Sequence, residues 1–370
     1  MAFSESDDRF REVNRLLEAA LDLDAGQREP FIAEACRSRP DLEKSVLRLL
    51  ALSDKLDGFM DVPPVPCAAM KTGDVLVGRF RIVRPLGEGG MGSVFLAEDG
   101  ELGEVAIKTI RPDLRHDAAA LDRFRQEIRL ARTVAHPNVC RIYDFFTGSD
   151  SPFLTMQYCP GETLASRLAR GPMPPEEALP VARGIAAGLD ALHAEGMIHR
   201  DFKPSNIILR EMPDGSIRPV IADFGLAKSS ADCATGHVLG SPDYMAPEQF
   251  RGIVTNASDI FAFGIVVFEM IAGVRPYPKE DILQTALRRV CDDAPRLRLV
   301  RPQAPESWDA AVARALSRDP EARFESAAAL ARALEIPILE IDAAPHVSQR
   351  TLVNGRRVPR ACAARRATGR

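Results

Sequence analysis

Apolar residues recur at helical spacing near the start of the chain and in alternation further on. Phe10, Val13, Leu16, Leu17 and Leu21 follow the i, i+3, i+4 rule, and Leu42, Val46, Leu49 and Leu50 repeat it. Residues 7–57 are therefore predicted to be helical. Asp41 falls in a first turn just after Pro40, where an acid suits the helix dipole. Val62-Pro63-Pro64-Val65-Pro66 ends the pattern, because proline lacks the N–H that a helix interior uses. It reads as a semi-rigid spacer rather than an SH3-type PxxP ligand. From Arg79 the period changes. Arg81-Ile82-Val83-Arg84 and Ser93-Val94-Phe95-Leu96-Ala97 flank a glycine-rich turn, and Glu104-Val105-Ala106-Ile107-Lys108 makes a third strand. Leu121 to Val134 returns to helical spacing. Beyond Gly161 the pattern is largely helical, with a hairpin around Pro213-Asp214-Gly215. The apolar run from Ile260 to Val274, broken by Glu269, is too short to cross a bilayer and reads as a buried helix. Strands first and helices later predict an α+β fold with two lobes. After Leu334 periodicity is lost, and the tail is expected to be disordered.

Composition narrows the function classes. The chain has 370 residues, 46% hydrophobic and 27% charged, as in ordinary soluble globular proteins. A net charge of −4 gives no global case for nucleic-acid binding. From Pro337 onward, seven arginines against two acids make a tail of +5. The 7 cysteines lie far apart without a CxxC pair, which disfavours a disulfide framework or zinc site and suits a reducing cytosol. The opening MAFSESDDRF is unlike a signal peptide, so a cytoplasmic location without a transmembrane segment is expected.

The chemistry concentrates in His199-Arg200-Asp201-Phe202-Lys203-Pro204-Ser205-Asn206, followed by Asp223-Phe224-Gly225. Asp201 can accept a proton, Lys203 can neutralise a phosphate, and Asn206 and Asp223 can hold a hard divalent cation. Phosphoryl transfer from a nucleotide needs those parts. Upstream, Leu86 precedes Gly87-Glu88-Gly89-Gly90-Met91-Gly92-Ser93-Val94, a GxGxxGxV pattern. Dinucleotide-binding folds also use GxGxxG, but their turn leads into a helix. Here Gly92 leads into a strand, and glycines let the backbone approach phosphate oxygens. Lys108 ends the next strand, and Glu127 on the following helix is its natural anionic partner, with Asp122 and Glu101 as plainer alternatives.

These ordered motifs resemble the bacterial members of the eukaryotic-like (Hanks-type) serine/threonine protein kinases, from about Phe80 to Leu334. The resemblance implies a bilobal protein-kinase-like fold with a β-rich first lobe and a helical second lobe. Together with the patterns above, it divides the chain into a helical module (1–61), a proline-containing linker (62–79), a kinase domain (80–335) and a basic tail (336–370). It also implies ATP and Mg2+, or Mn2+ in its place, held by Asn206 and Asp223. Asp201 would be the catalytic base, Lys203 the contact to the γ-phosphate, and Lys108 with Glu127 the phosphate-holding pair. The nucleotide would lie against Leu86, Gly87, Glu88, Gly89, Gly90, Met91, Gly92, Ser93, Val94 and Ala106. Met156 would stand beside the adenine, with the backbone near Gln157 and Cys159 bonding it. With no basic neighbour in sequence, the Cys159 thiol is expected to be ordinary. Phe202, where the family more often has an aliphatic residue, is expected to pack inward.

Gly240-Ser241-Pro242-Asp243-Tyr244-Met245-Ala246-Pro247-Glu248 resembles the substrate-docking loop. Glu248 should pair with Arg323, and Asp259 should brace the catalytic-loop backbone. Arg200 before the catalytic Asp implies control by phosphorylation of the activation loop, with Thr235, Ser229 and Ser230 as candidates. The implied activity is transfer of the γ-phosphoryl of ATP to Ser/Thr hydroxyls of proteins, including autophosphorylation within a transient homodimer. No specific nucleic-acid partner is implied. The competing readings are a pseudokinase scaffold, against which all five core site residues stand, and an aminoglycoside-type small-molecule kinase, which generally lacks a segment like 240–248.

Overall fold

The computed structural model describes residues 12–13, 15–37, 39–56, 70–89, 92–109, 118–147, 152–224, 242–277, 288–290 and 292–335. The Val62–Pro66 spacer, Gly90 and Met91, the three candidate phosphosites and the basic tail lie outside these residues. So does Ser241.

The predicted helical start is present. A helical stretch carrying Val13, Leu16, Leu17 and Ala20 is followed by α1 (Ala25–Ala35) and α2 (Pro40–Leu56). The apolar residues of all three, with Ile32, Cys36, Leu42, Val46 and Leu50, form one buried cluster. The first lobe is a six-stranded antiparallel sheet in the order β1-β2-β3-β4-β6-β5. Its strands are β1 (Val75–Leu76), β2 (Phe80–Gly89), β3 (Gly92–Asp99), β4 (Gly103–Thr109), β5 (Ile142–Phe146) and β6 (Phe153–Gln157). Strand β1 lies inside the stretch read as linker. It pairs with β2 through Val75 and Arg81, so the sheet begins before Phe80. Helix α3 (Ala118–Thr133) lies against β5, joined by the Phe124–Phe145 edge contact at 5.1 Å.

Alternation assigns the two sheet faces. Phe80, Ile82, Phe95, Ala97, Val105, Ile107 and Phe153 form a cluster on one face. Ala106, Leu154, Met156 and Ile142 join the main core on the other, with Val94 against it. Lys108 pairs with Val94 and Leu154 in the ladders, so its side chain belongs to this second face.

The second lobe contains β7 (Glu162–Thr163), α4 (Leu164–Leu168), α5 (Pro175–Ala194), β8 (Ile207–Glu211), β9 (Ile217–Ile221), α6 (Asn256–Ala272), α7 (Leu297–Val300), α8 (Glu306–Ala315) and α9 (Ala327–Glu335). Helix α5 begins with proline at its first turn and Glu176 and Glu177 beside it, both suited to a helix N-terminus. Helix α6 begins with a reciprocal capping box between Thr255 and Ser258. It is the apolar run of the sequence, and it is buried nearly all round. Among the described residues no helix is long and apolar enough to cross a membrane.

Helix α5 supports the site through a close approach at Gly188. A Cβ there would stand 2.8 Å from the Asn138 carbonyl oxygen and 2.8 Å from Ile221 Cδ1. The Asn138 carbonyl accepts the Ile221 N–H at 2.8 Å, and Ile221 ends β9 just before the site. Gly188→Ala should overpack this junction at a cost of about 1–3 kcal/mol. The expected result is a Tm lower by roughly 2–12 °C in calorimetry. An unchanged Tm would mean that the 136–140 loop yields freely.

Candidate active site

Residues far apart in sequence meet because β8 and β9 form a hairpin. Asp214, at its turn, accepts the Ser216 N–H at 2.9 Å. The register pairs Ile207 with Ile221, and the Ala222 N–H donates to the Asn206 carbonyl at 2.8 Å. Asn206 at one end and Asp223 at the other therefore sit side by side. Asn206 closes a short 3-10 turn from Pro204, and its Nδ2 donates to the Asp201 carbonyl at 2.9 Å. That bond ties the Asn206 amide to the loop carrying Asp201. The Asp201 carboxylate is buried and lies 3.0 Å from Lys203 Nζ.

The backbone on either side of the hairpin is strained. Arg200 has φ +67° and Asp223 φ +57°. The left-handed region costs a side-chain-bearing residue about 1–2 kcal/mol. Buried Asp259, on α6, offsets this at Arg200. Its carboxylate accepts the N–H groups of His199 at 2.8 Å and Arg200 at 3.1 Å, and lies 2.7 Å from His193 Nε2. Three hydrogen-bond partners around one buried carboxylate fix the loop's shape. Phe202 packs inward, meeting His199 and Phe263 edge-on at 5.3 and 6.1 Å.

The glycine-rich turn has its own close approach. Gly92 has φ +131°, and a Cβ there would stand 2.4 Å from the Thr109 carbonyl oxygen. Thr109 Oγ1 accepts the Ser93 N–H at 2.9 Å, which fixes the turn over the end of β4. Leu86 and Gly87 are exposed at the rim of β2, and Glu88 and Gly89 continue that strand. Ala106 and Met156 are directly paired across the sheet, on the face that carries Lys108. The Gln157 N–H donates to the Arg141 carbonyl at 2.8 Å.

Lys108 is 7% exposed. Its partner differs from the one expected. Nζ lies 2.9 Å from Asp223 Oδ1, while Glu127 lies 3.2 Å from Arg200 Nη1. The hairpin carries Asp223 to the end of β4, so that carboxylate meets the lysine. Glu127, on α3, meets the guanidinium of the catalytic loop instead. Cys159 also departs from expectation. The neighbouring Cys140 thiol lowers its pKa, and the same neighbour together with burial raises that of Cys140, whose Sγ–H donates to the Gln157 carbonyl at 3.4 Å.

The docking segment is held by contacts that the motifs did not announce. Arg289 is buried, with Nη1 2.5 Å from the Met245 carbonyl oxygen and further bonds to the carbonyls of Pro242 and Asp243. Its guanidinium stands 5.2 Å over the Tyr277 ring, and burial lowers its pKa to about 10. Tyr244 donates its hydroxyl to Glu269 at 2.6 Å. Burial and the charge of Glu269 raise the Tyr244 phenol far above its ordinary pKa. The segment ends at Glu248, which meets Arg323 through two bonds of 2.7 and 2.8 Å. His193 and Arg289 escaped the sequence reading because neither stands in a recognisable motif. A histidine six residues before His199 on an apolar helix was the one available hint.

The donor set fits a hard divalent cation. Asn206 and Asp223 offer oxygen ligands, and among the described residues there is no cluster of three or more His, Cys, Asp or Glu. Two protein ligands suit magnesium, which usually keeps several waters and binds substrate phosphates.

Residues 80–333 match the family model of the protein kinase domain. The chain is 38% identical over 264 residues to serine/threonine-protein kinase PrkC of Bacillus subtilis, covering 70% of this chain and 40% of that protein. It is 43% identical over 211 residues to serine/threonine-protein kinase pkn2 of Myxococcus xanthus, covering 55% of this chain and 25% of that one. The chain thus spans well under two thirds of the length of these curated relatives. Among solved structures, the kinase domain of Mycobacterium tuberculosis PknI superposes with a TM-score of 0.57 at 26% identity, covering 72% of this chain and 99% of that one.

Proposed function

The chain belongs to the protein kinase family, and we propose that it transfers the γ-phosphoryl group of ATP to serine and threonine hydroxyls of proteins. The family uses ATP and a divalent cation, which we assign as Mg2+, with Mn2+ able to replace it. The observation that carries the reading is the hairpin juxtaposition. Asn206, Asp223 and Lys108 stand together beside Asp201 and Lys203. The bound cation would supply charge neutralisation on the phosphates.

The residues then divide the work. Ala106, Val94 and Met156 form the apolar bed for the adenine. Among the described residues the Cys159 N–H has no backbone partner, which leaves it free to donate to the base. Lys108, released from Asp223, holds the phosphates. Asp201 accepts the proton of the substrate hydroxyl. The hydroxyl oxygen forms the new bond to the γ-phosphorus, and the bond to the β–γ bridging oxygen breaks, releasing ADP. Lys203, beside Asp201, neutralises the transferring group. Positioning and charge supply most of the rate gain for such a loose transition state.

Autophosphorylation in a transient homodimer, with Thr235 as the favoured target over Ser229 and Ser230, would draw Arg200 toward the new phosphate. That would free Glu127 for Lys108. Cysteine usage supports a cytoplasmic site of action. Mass-spectrometric mapping after incubation with ATP and Mg2+ tests the reading. Phosphate on Ser or Thr residues, Thr235 among them, is expected. A chain that stays unmodified and labels no generic protein substrate would sink it.

A further inference from the structure

The N-terminal helices do not form a separate body. Their apolar cluster, built from Val13, Leu17, Ile32, Val46 and their neighbours, also contains Met245 and Phe250. Both belong to the docking segment and the turn that follows it, and both are 2% exposed. Val290, next to the arginine that grips the segment, packs against the same cluster. Met245 has a second neighbour of consequence. It lines a small cavity of about 10 Å³ together with Asp201, Phe202 and Tyr244. Tyr244 in turn lines a cavity of about 340 Å³ with Lys203, Ser205 and Glu269. One side of the docking segment thus faces the catalytic loop, and another lies under the module.

We propose that the N-terminal module is an intramolecular cover on the substrate-docking segment, competing with protein substrates for the surface around Met245 and Phe250. This rests on the protein kinase reading and adds a control to that site. The physical argument is one of occupancy. Each large apolar side chain kept from water favours the contact that covers it. Met245 and Phe250 are buried in a cluster shared with the module, so a peptide gains no burial from that face until the module moves. The contact leaves the nucleotide side alone. The cluster contains no residue of β3, β4 or β6, nor of residues 157–159. The cover should therefore act on protein substrates and spare ATP.

The test uses the full chain carrying Val13→Asp and Leu17→Asp, which put charges into the cluster without touching the catalytic residues. Peptide phosphorylation, the KM for ATP and hydrogen exchange across 242–252 are measured together. A cover closed in about nine molecules of ten lowers apparent peptide affinity about tenfold. The expected result is that kcat/KM for the peptide rises by about that factor, the KM for ATP is unchanged and exchange across 242–252 quickens. Faster exchange with an unchanged kcat/KM for the peptide would overturn the proposal, because the module would then be a passive stabiliser. Unchanged exchange across 242–252 in a variant whose residues 12–50 have lost protection would overturn it too. Absence of transfer in both the wild type and the variant would remove the kinase reading itself, a result distinct from transfer at an unaltered rate.

Discussion

Replacing Asp201 with alanine is expected to lower phosphoryl transfer by about 10²–10⁴-fold, the range removed with a positioned general base. Lys108→Ala should be as severe, because the nucleotide phosphates lose their buried cation. Neither change should unfold the protein. The backbone bonds around Asp201, from its N–H to the His199 carbonyl at 2.9 Å and from Asn206 Nδ2 to its carbonyl at 2.9 Å, do not involve its side chain. Lys203, its ionic partner, is 24% exposed and is solvated once the carboxylate is gone. Labelled-ATP transfer measured beside a thermal melt separates the two effects. Wild-type-like labelling by either purified, folded variant would remove these residues from the mechanism.

The largest expected loss of stability follows Arg323→Ala. The Arg323 and Glu248 side chains are 0% and 2% exposed, and they meet at 2.7 Å. Removing one partner of a buried pair strands the other charge, at about 3–5 kcal/mol. Here the guanidinium also donates to the carbonyls of Ser317 and Ala257, both at 2.8 Å, and stands 4.9 Å over the Phe261 ring. Glu248 accepts the Ser258 hydroxyl at 2.8 Å, so the pair joins the docking segment to the start of α6 and the approach to α9. The expected Tm decrease is roughly 6–20 °C for a domain of this size. Glu248→Gln should cost less, because the amide oxygen still accepts hydrogen bonds and the guanidinium keeps the Ser317 and Ala257 carbonyls. Equal melting temperatures for Arg323→Ala and the wild type would show the pair to be energetically idle.

Much of the site was legible in the sequence for a chemical reason. The proposed proton acceptor, phosphate-contacting lysine and cation-binding amide fall within one short loop, so Asp201, Lys203 and Asn206 stand out by local spacing. The hairpin that brings Asp223 beside Asn206 was also readable, because Pro213-Asp214-Gly215 marks a turn between two apolar strands. The sheet faces followed from alternation. What did not follow was the identity of partners across space. Lys108 and Glu127 are both placed correctly on β4 and α3. Yet which carboxylate meets the lysine depends on distances set by the approach of two lobes, and no spacing rule encodes that. The thiol pair of Cys140 and Cys159 escaped for the same reason, since strand pairing brings the two together.

The sequence by itself determined the local chemistry, the strand and helix periods and the two-lobed α+β architecture, because these depend on neighbours within a few residues or on repeating patterns. Tertiary structure alone decided that Asp223 holds Lys108 while Arg200 holds Glu127, that Arg289 grips the docking segment, and that the N-terminal helices lie on Met245 and Phe250. Periodicity says that a face is apolar. It does not say what will cover it, because apolar contact is non-directional and its partner is selected by the shape of the whole fold.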